Sequence, residues 1–282
     1  MANIDHVGQP GFSEQFRGFL NTQDICEKLE LDEFSTFKFP EIKFTKDLED
    51  DLKALQHPRN SVLGKRMESF FSIAIKHSDR YRMLASNIQI IEEKQTLGEL
   101  DFLVYDNMLR KPLHVELVYK LYVYDASFNH ELERWIGPNR RDSFSKKLDK
   151  LRSRQFPLLF KPETQRYLQD HDLKPGDIDQ QLCFKAQLYL PKKKKLEYTN
   201  ADAKSFDGSW LGLDEFRDMD WKRHLFFSPK KKLWSSDPAF NSSWKTYSEI
   251  IHEIESFLDK NKSPLIWMKT KTSYIRFFIV WW

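Results

Sequence analysis

Hydrophobic positions along the chain switch between two periods, and each switch marks an element. Phe12, Phe16, Phe19 and Leu20 recur at three- and four-residue spacing and predict a helix within residues 12–30, followed by an aromatic, proline-interrupted connector over 34–44. Leu63, Met67, Phe70 and Ala74 repeat that spacing, so a helix is expected from a Ser61 cap to about His77. The period then shortens to two: residues 87–92, 97–105 and 113–124 read as strands, the last two joined by a turn at 106–111. After Gly137-Pro138-Asn139 a basic amphipathic helix is expected to run to about Gln155. The order helix, strand, strand, strand, helix predicts an α/β (α+β) core with helices packed on a sheet.

Beyond residue 160 the composition changes. Seven of the eight tryptophans lie between Trp210 and Trp282, among a strand expected at 182–190, a helix at 248–260 and two strands at 265–269 and 274–280. The chain is therefore read as an N-terminal helical and acidic extension (1–60), a core (61–160) and an aromatic-rich C-terminal α+β lobe (161–282). Exposed tryptophans there could stack on unpaired bases. Core packing is the weightier expectation.

With 40% apolar and 31% charged residues, the 282-residue chain has neither a disordered nor a collagen-like composition. Its longest apolar runs, such as 277–282, fall well short of the ~18 residues of a membrane span, and the polar start lacks a signal-peptide core. No membrane partner and a cytoplasmic location are expected. Cys26 and Cys183 stand far apart, without CxxC, HxH or HExxH, and are expected as free thiols. The net charge of +3 conceals a strong pattern: residues 24–51 carry ten carboxylates against four lysines, whereas 140–155 carry seven Lys or Arg against two Asp. Lys192–Lys195 and Lys230–Lys232 add two further basic runs, and three basic stretches together suit a polyanionic partner.

Alternation on the second strand places Glu99 and Asp101 on one face, and on the third His114, Glu116, Val118 and Lys120. A turn centred between Met108 and Leu109 pairs Asp101 with Glu116. Two carboxylates directly opposed repel each other at a Cβ separation of ~4.5–5.5 Å, and a hard divalent cation would hold them there. On the preceding helix Glu68 shares a row with Gly64, Phe71 and Ile75, and is expected either to point toward the same cation or Lys120, or to reach solvent past the core as a boundary glutamate.

The order of these residues resembles the PD-(D/E)XK nuclease superfamily: Gly64 to Glu68 on the helix, Asn87-Ile88-Gln89, Gly98-Glu99-Leu100-Asp101, then Val115-Glu116-Leu117-Val118. More closely, residues 97–103, 114–120 and Trp135-Ile136-Gly137-Pro138-Asn139 resemble the uncharacterised bacterial family called domain of unknown function 1853. The resemblance implies a restriction-endonuclease-like core built on a mixed sheet, and hydrolysis of phosphodiesters, DNA before RNA, with bound Mg²⁺ or Mn²⁺. It implies a catalytic set of Glu68, Asp101, Glu116 and Lys120, with Asp101 and Glu116 holding the metal, Glu68 beside them, and the Leu117 carbonyl often completing such a site. Val118 fills the usual lysine position, so Lys120, one pleat or ~6.6 Å further along, is the lysine expected to assist the attacking water. Glu99 could pair with Lys120 or add a ligand. Gln155 resembles the glutamine that follows the lysine strand in the RecB-like branch, or serves as a polar helix end. Lys146, Lys150 and Arg154, with Lys147 nearby, form a basic face expected to bind nucleic-acid phosphates. The alternative is a catalytically inactive module of the same fold that binds nucleic acid or a protein.

Overall fold

The computed structural model describes residues 8–57 except 30 and 32, 62–195, and 206–282 except 222. Ser61, Glu30, Asp32, the first seven residues of the polar start and the side chains of Lys194 and Lys195 lie outside the described residues. The elements run α1 (Phe12–Asn21), α2 (Ile25–Lys28), α3 (Lys46–Ala54), α4 (Leu63–Lys76), β1 (Tyr81–Glu92), β2 (Gln95–Asp106), β3 (Lys111–Tyr124), β4 (Trp135–Ile136) and α5 (Phe144–Lys150). Then come α6 (Pro162–Gln169), β5 (Asp179–Pro191), α7 (Lys192–Lys195), β6 (Gly208–Gly212), α8 (Leu213–Arg217), β7 (Leu225–Phe227), α9 (Tyr247–Leu258), β8 (Leu265–Lys269) and β9 (Tyr274–Val280).

The strands form one large mixed sheet in the order β1-β2-β3-β5-β6-β9-β8-β7, with β4 on the far end of β3. Pairing is parallel for β3–β5, β5–β6 and β6–β9 and antiparallel elsewhere. The long β3–β5 ladder, Leu113↔Asp179 through Val123↔Tyr189, joins the 161–282 stretch to the same sheet as the 61–160 stretch.

Side-chain alternation sorts the core onto the two faces. Phe16, Phe19, Leu48, Met67, Phe70 and Phe71 from α1, α3 and α4 pack with Phe102, Val104 and Val115. Phe70 is fully buried and meets Phe12, Phe16 and Phe19; a ring removed from water in this way contributes roughly 2–3 kcal/mol. On the opposite face Val118, Tyr122, Phe184 and Leu188 receive Phe144, Leu148 and Leu151. The glycine of the Gly98-Glu99-Leu100-Asp101 stretch permits close approach here, because a Cβ at Gly98 would lie 2.7 Å from Leu158 Cδ2.

Two expected helices are shorter than their patterns. The first ends at Asn21, because Asp24 caps α2 through Cys26 N (2.8 Å) and also accepts from Phe184 N (2.9 Å), drawing the chain onto β5. The basic helix begins only at Phe144, capped by Ser143, since residues 137–142 form a turn closed by Gly137 N donating to Asp142 O. It then widens into a π turn over Leu151–Gln155. No described helix is long and apolar enough to cross a membrane.

Candidate functional site

The β2–β3 hairpin carries the acids. Its register, Asp106↔Lys111 to Phe102↔Val115, is the one a turn between Met108 and Leu109 requires. Pairing stops there, one step short of Asp101 and Glu116: β2 continues along β1, β3 continues along β5, and the strands part. Asp101 Oδ2 takes the place of a ladder partner by accepting from Leu117 N at 2.9 Å. The β1–β2 ladder also skips this level, passing from Ser86↔Phe102 to Ile88↔Leu100, and Asn87 between them has a left-handed φ of 53°. Asparagine tolerates that conformation better than most residues, and such backbone departures cluster at functional sites.

Glu116 is fully buried. Its Oε1 bonds His114 Nε2 at 2.9 Å, and its Oε2 accepts from Gln155 Nε2. The Gln180 amide, which also donates to Phe156 O (2.8 Å), points its nitrogen at His114 Nδ1 (3.0 Å). That arrangement makes Nδ1 the acceptor and leaves the Nε2 hydrogen for Glu116. The alternation of residues 114 and 116 on one strand face was the sequence signal for this bond, although a lone histidine does not by itself indicate it.

Gln155 Oε1 in turn accepts from Lys147 Nζ at 2.7 Å. In a straight α-helix, residues eight apart are turned about 80° from each other; the π turn at 151–155 removes much of that offset and brings the two side chains together. Lys147 therefore departs from the basic face expected for it. Lys146, Lys150 and Arg154 are exposed, whereas Lys147 points inward. Burial and the Lys150 ammonium hold Lys147 below the usual lysine range, opposed by the charges of Glu116 and Asp101. Burial and the neighbouring Glu116 carboxylate hold Asp101 well above the usual carboxylate range, only partly offset by the Leu117 N–H and Lys147.

The remaining expected residues form a second layer. Glu68 Oε2 bonds Lys65 Nζ at 2.7 Å, and the same ammonium reaches Asn87 Oδ1 (3.2 Å) and Glu99 Oε1 (3.6 Å). Glu68 and Glu99 thus meet at Lys65, a residue the sequence reading passed over, while Glu68 still adds its charge to the field at Asp101. Lys120 pairs with Asp142. It does so because the pinned 137–142 turn carries that carboxylate over the end of β3, a placement the strand pattern does not contain.

Among the described residues no three His, Cys, Asp or Glu side chains are grouped closely enough to enclose one ion. The donors at the parting of the strands nevertheless fit a hard divalent cation held with several waters. Asp101 stands beside the Glu116 carboxylate, and the one ammonium acting on both, Lys147, only partly offsets that repulsion. The Leu117 carbonyl adds an oxygen, because in an extended strand it points to the same side as the N–H that Asp101 binds.

Both thiols are buried, and burial raises the pKa of each. No curated protein and no solved structure matches the chain. A family model does match, over residues 36–276, and the chain belongs to that family, Domain of unknown function (DUF1853).

Proposed function

We propose that the protein is a metal-dependent nuclease of the PD-(D/E)XK type, with a restriction-endonuclease-like core, that hydrolyses phosphodiester bonds of DNA. One observation carries the reading: half-buried Asp101 and fully buried Glu116 stand beside each other at the point where β2 and β3 part. A carboxyl whose pKa is raised by a neighbouring carboxylate in such a place is characteristic of active sites. Asp101 and Glu116 would hold Mg²⁺ or Mn²⁺, which when bound polarises the phosphate and acidifies a water.

The chain's own contribution is positional. His114 and Gln155 fix the Glu116 carboxylate from two sides, and Leu117 N fixes Asp101. Lys147 takes the role first given to Lys120, orienting the attacking water and facing the charge that develops on the phosphate. Its charge bears on both acids, whereas Lys120 is engaged by Asp142. Glu68, through Lys65, steadies Asn87 and Glu99 at the rim.

Incubation with single-stranded, duplex and branched DNA plus Mg²⁺ or Mn²⁺ tests the reading: cleavage should appear with metal and vanish in Asp101→Asn. Cleavage that survives Asp101→Ala overturns it. A second reading, an inactive module of the same fold that binds nucleic acid or a protein, is favoured by the full engagement of Glu116 and Lys120 with protein partners. Calorimetric titration with Mn²⁺ separates the two, since an inert descendant shows no metal-binding heat dependent on Asp101.

A further inference from the structure

Beside the acids lies a cavity of about 460 Å³, within the roughly 300–1,000 Å³ range of ligand sites. Its charged lining is lopsided. Lys120, Arg141, Lys147 and Lys231 face it, against a single acid, Asp142. Each cation arrives on a firmly held element. Lys120 stands on β3 within the β3–β5 ladder. Arg141 sits on the 137–142 turn, which is pinned by Asn139 Oδ1 accepting from Ser263 N (2.7 Å), by Pro138 O accepting from Trp282 Nε1 (3.0 Å), and by Arg140 lying 3.9 Å from the Trp282 ring centroid. Lys231 opens a short turn anchored by buried Leu233 and Trp234, and its ammonium lies 5.6 Å from the Trp234 ring centroid.

The opposite wall is the first turn of α4, at Leu63 and Gly64, the positive end of a 14-residue helix. A Cβ built at Gly64 meets no atom within 4 Å, so this wall is open space. Like charges gathered in a concavity repel each other. An anion placed between Lys120, Arg141 and Lys231 would relieve that repulsion.

We infer that this cavity is a phosphate-binding subsite, separate from the acid cluster and formed jointly by Lys120, Arg141 and Lys231. The inference rests on the nuclease reading for the identity of the ligand, a nucleic-acid strand. The cavity shares the Leu117 backbone and Lys147 with the acid site. Lys120 stands about 13 Å along β3 from Glu116 at ~3.3 Å per residue. A strand with one phosphate at the acids therefore lays a phosphate further along, beyond the adjoining one, among these cations. Asp142 is the internal stand-in: it holds Lys120 in place until a phosphate shares that partner.

The test needs no cleavage. In EDTA, with Asp101→Asn as the background, binding of a fluorescein-labelled single strand is followed by anisotropy over a range of salt. The added pair Lys231→Gln and Arg141→Gln should weaken binding about tenfold or more and lower the salt slope by about 1. Removing two exposed lysines elsewhere, Lys174→Gln and Lys271→Gln, should change it less than about twofold. Equal losses in both pairs, or none in either, overturn the subsite. As a check that does not depend on the variants, inorganic phosphate should raise the melting temperature of the parent protein and not of the Lys231/Arg141 pair; an equal response in both overturns the inference. Tighter binding of a 5′-phosphorylated strand assigns a terminal phosphate, and equal binding with and without it assigns an internal one. If wild type never cleaves DNA but binding follows Lys231 and Arg141, the nuclease reading fails and the subsite stands. Cleavage with binding indifferent to both residues gives the reverse.

Discussion

The two ends of the β2–β3 hairpin each hold an aspartate turned inward, Asp106 fully buried and Asp101 half-buried, and the two are treated in opposite ways. At the turn, Asp106 Oδ1 accepts from Met108 N (2.9 Å) and Leu109 N (3.1 Å), while Oδ2 takes Arg80 Nε and Nη2 at 3.0 and 2.7 Å. Burial alone would raise its pKa, but the guanidinium and the two N–H groups bring the carboxyl below the usual range. At the open end Asp101 has one N–H and a neighbouring carboxylate, with Lys147 only partly offsetting burial and that charge, and it is pushed the other way. A satisfied buried carboxylate is a structural part. One held by a single N–H and kept against a like charge is a candidate place for a ligand.

The largest expected effect separates these roles directly. Asp101→Asn should abolish metal-dependent cleavage, a loss of at least about 10³-fold, with the fold intact. Asp106→Asn should instead cost about 1–3 kcal/mol of stability, from weakened bonds to a charged acceptor, with activity per folded molecule unchanged. Denaturant melts and turnover on the same preparations decide; an Asp106 variant that folds normally but is inactive breaks the contrast.

Next in size, Lys147→Gln should lower the cleavage rate about 10²-fold, and Lys120→Gln less than about tenfold, with its loss falling on KM. The reverse ranking returns the catalytic lysine to β3.

The smallest effect is in pH dependence, and its sign differs between the two ends. The folded-state pKa of Asp106 is depressed, so its contribution is present above the unfolded value of ~3.9 and is lost as pH falls through the folded value. The pKa of Asp101 is raised, so the folded state retains a proton the unfolded state releases, and metal-free stability declines as pH rises from ~3.9 toward the folded value. Asp101→Asn keeps the acceptor for Leu117 N and should melt about 2–4 °C higher than wild type at neutral pH in EDTA, the shift ~1 kcal/mol produces. The gain should disappear at pH 4. Mn²⁺ should stabilise wild type alone; equal stabilisation of both proteins means the ion binds elsewhere.

Elements whose periodicity is strong were legible in the chain: β8 and β9 span the expected 265–269 and 274–280, and the hairpin register follows from its turn. Helix α3 was missed, although Thr45 accepting from Leu48 N, first-turn acids Asp47 and Glu49, and buried Leu48 and Leu52 give it a recognisable start and a core-facing row. The tryptophans are mainly packing: Trp135, Trp221, Trp234 and Trp267 are buried, and Trp282 pins the 137–142 turn.

By itself the sequence determined what lies close along the chain: which strand faces carry Asp101, His114, Glu116 and Lys120, and the hairpin register that leaves Asp101 and Glu116 one step beyond its last pair. Alternation and turn position are local properties, set by the pleat and the backbone within a few residues. Only the tertiary structure decided where the strands part, because that depends on β1 and β5 drawing β2 and β3 in different directions. The same is true of the lysines. Lys120 was given to Asp142 and Lys147 to the acids by a turn pinned from the C-terminal segment and by one widened helical turn. A side chain's partner is set by long-range packing, which no periodicity records.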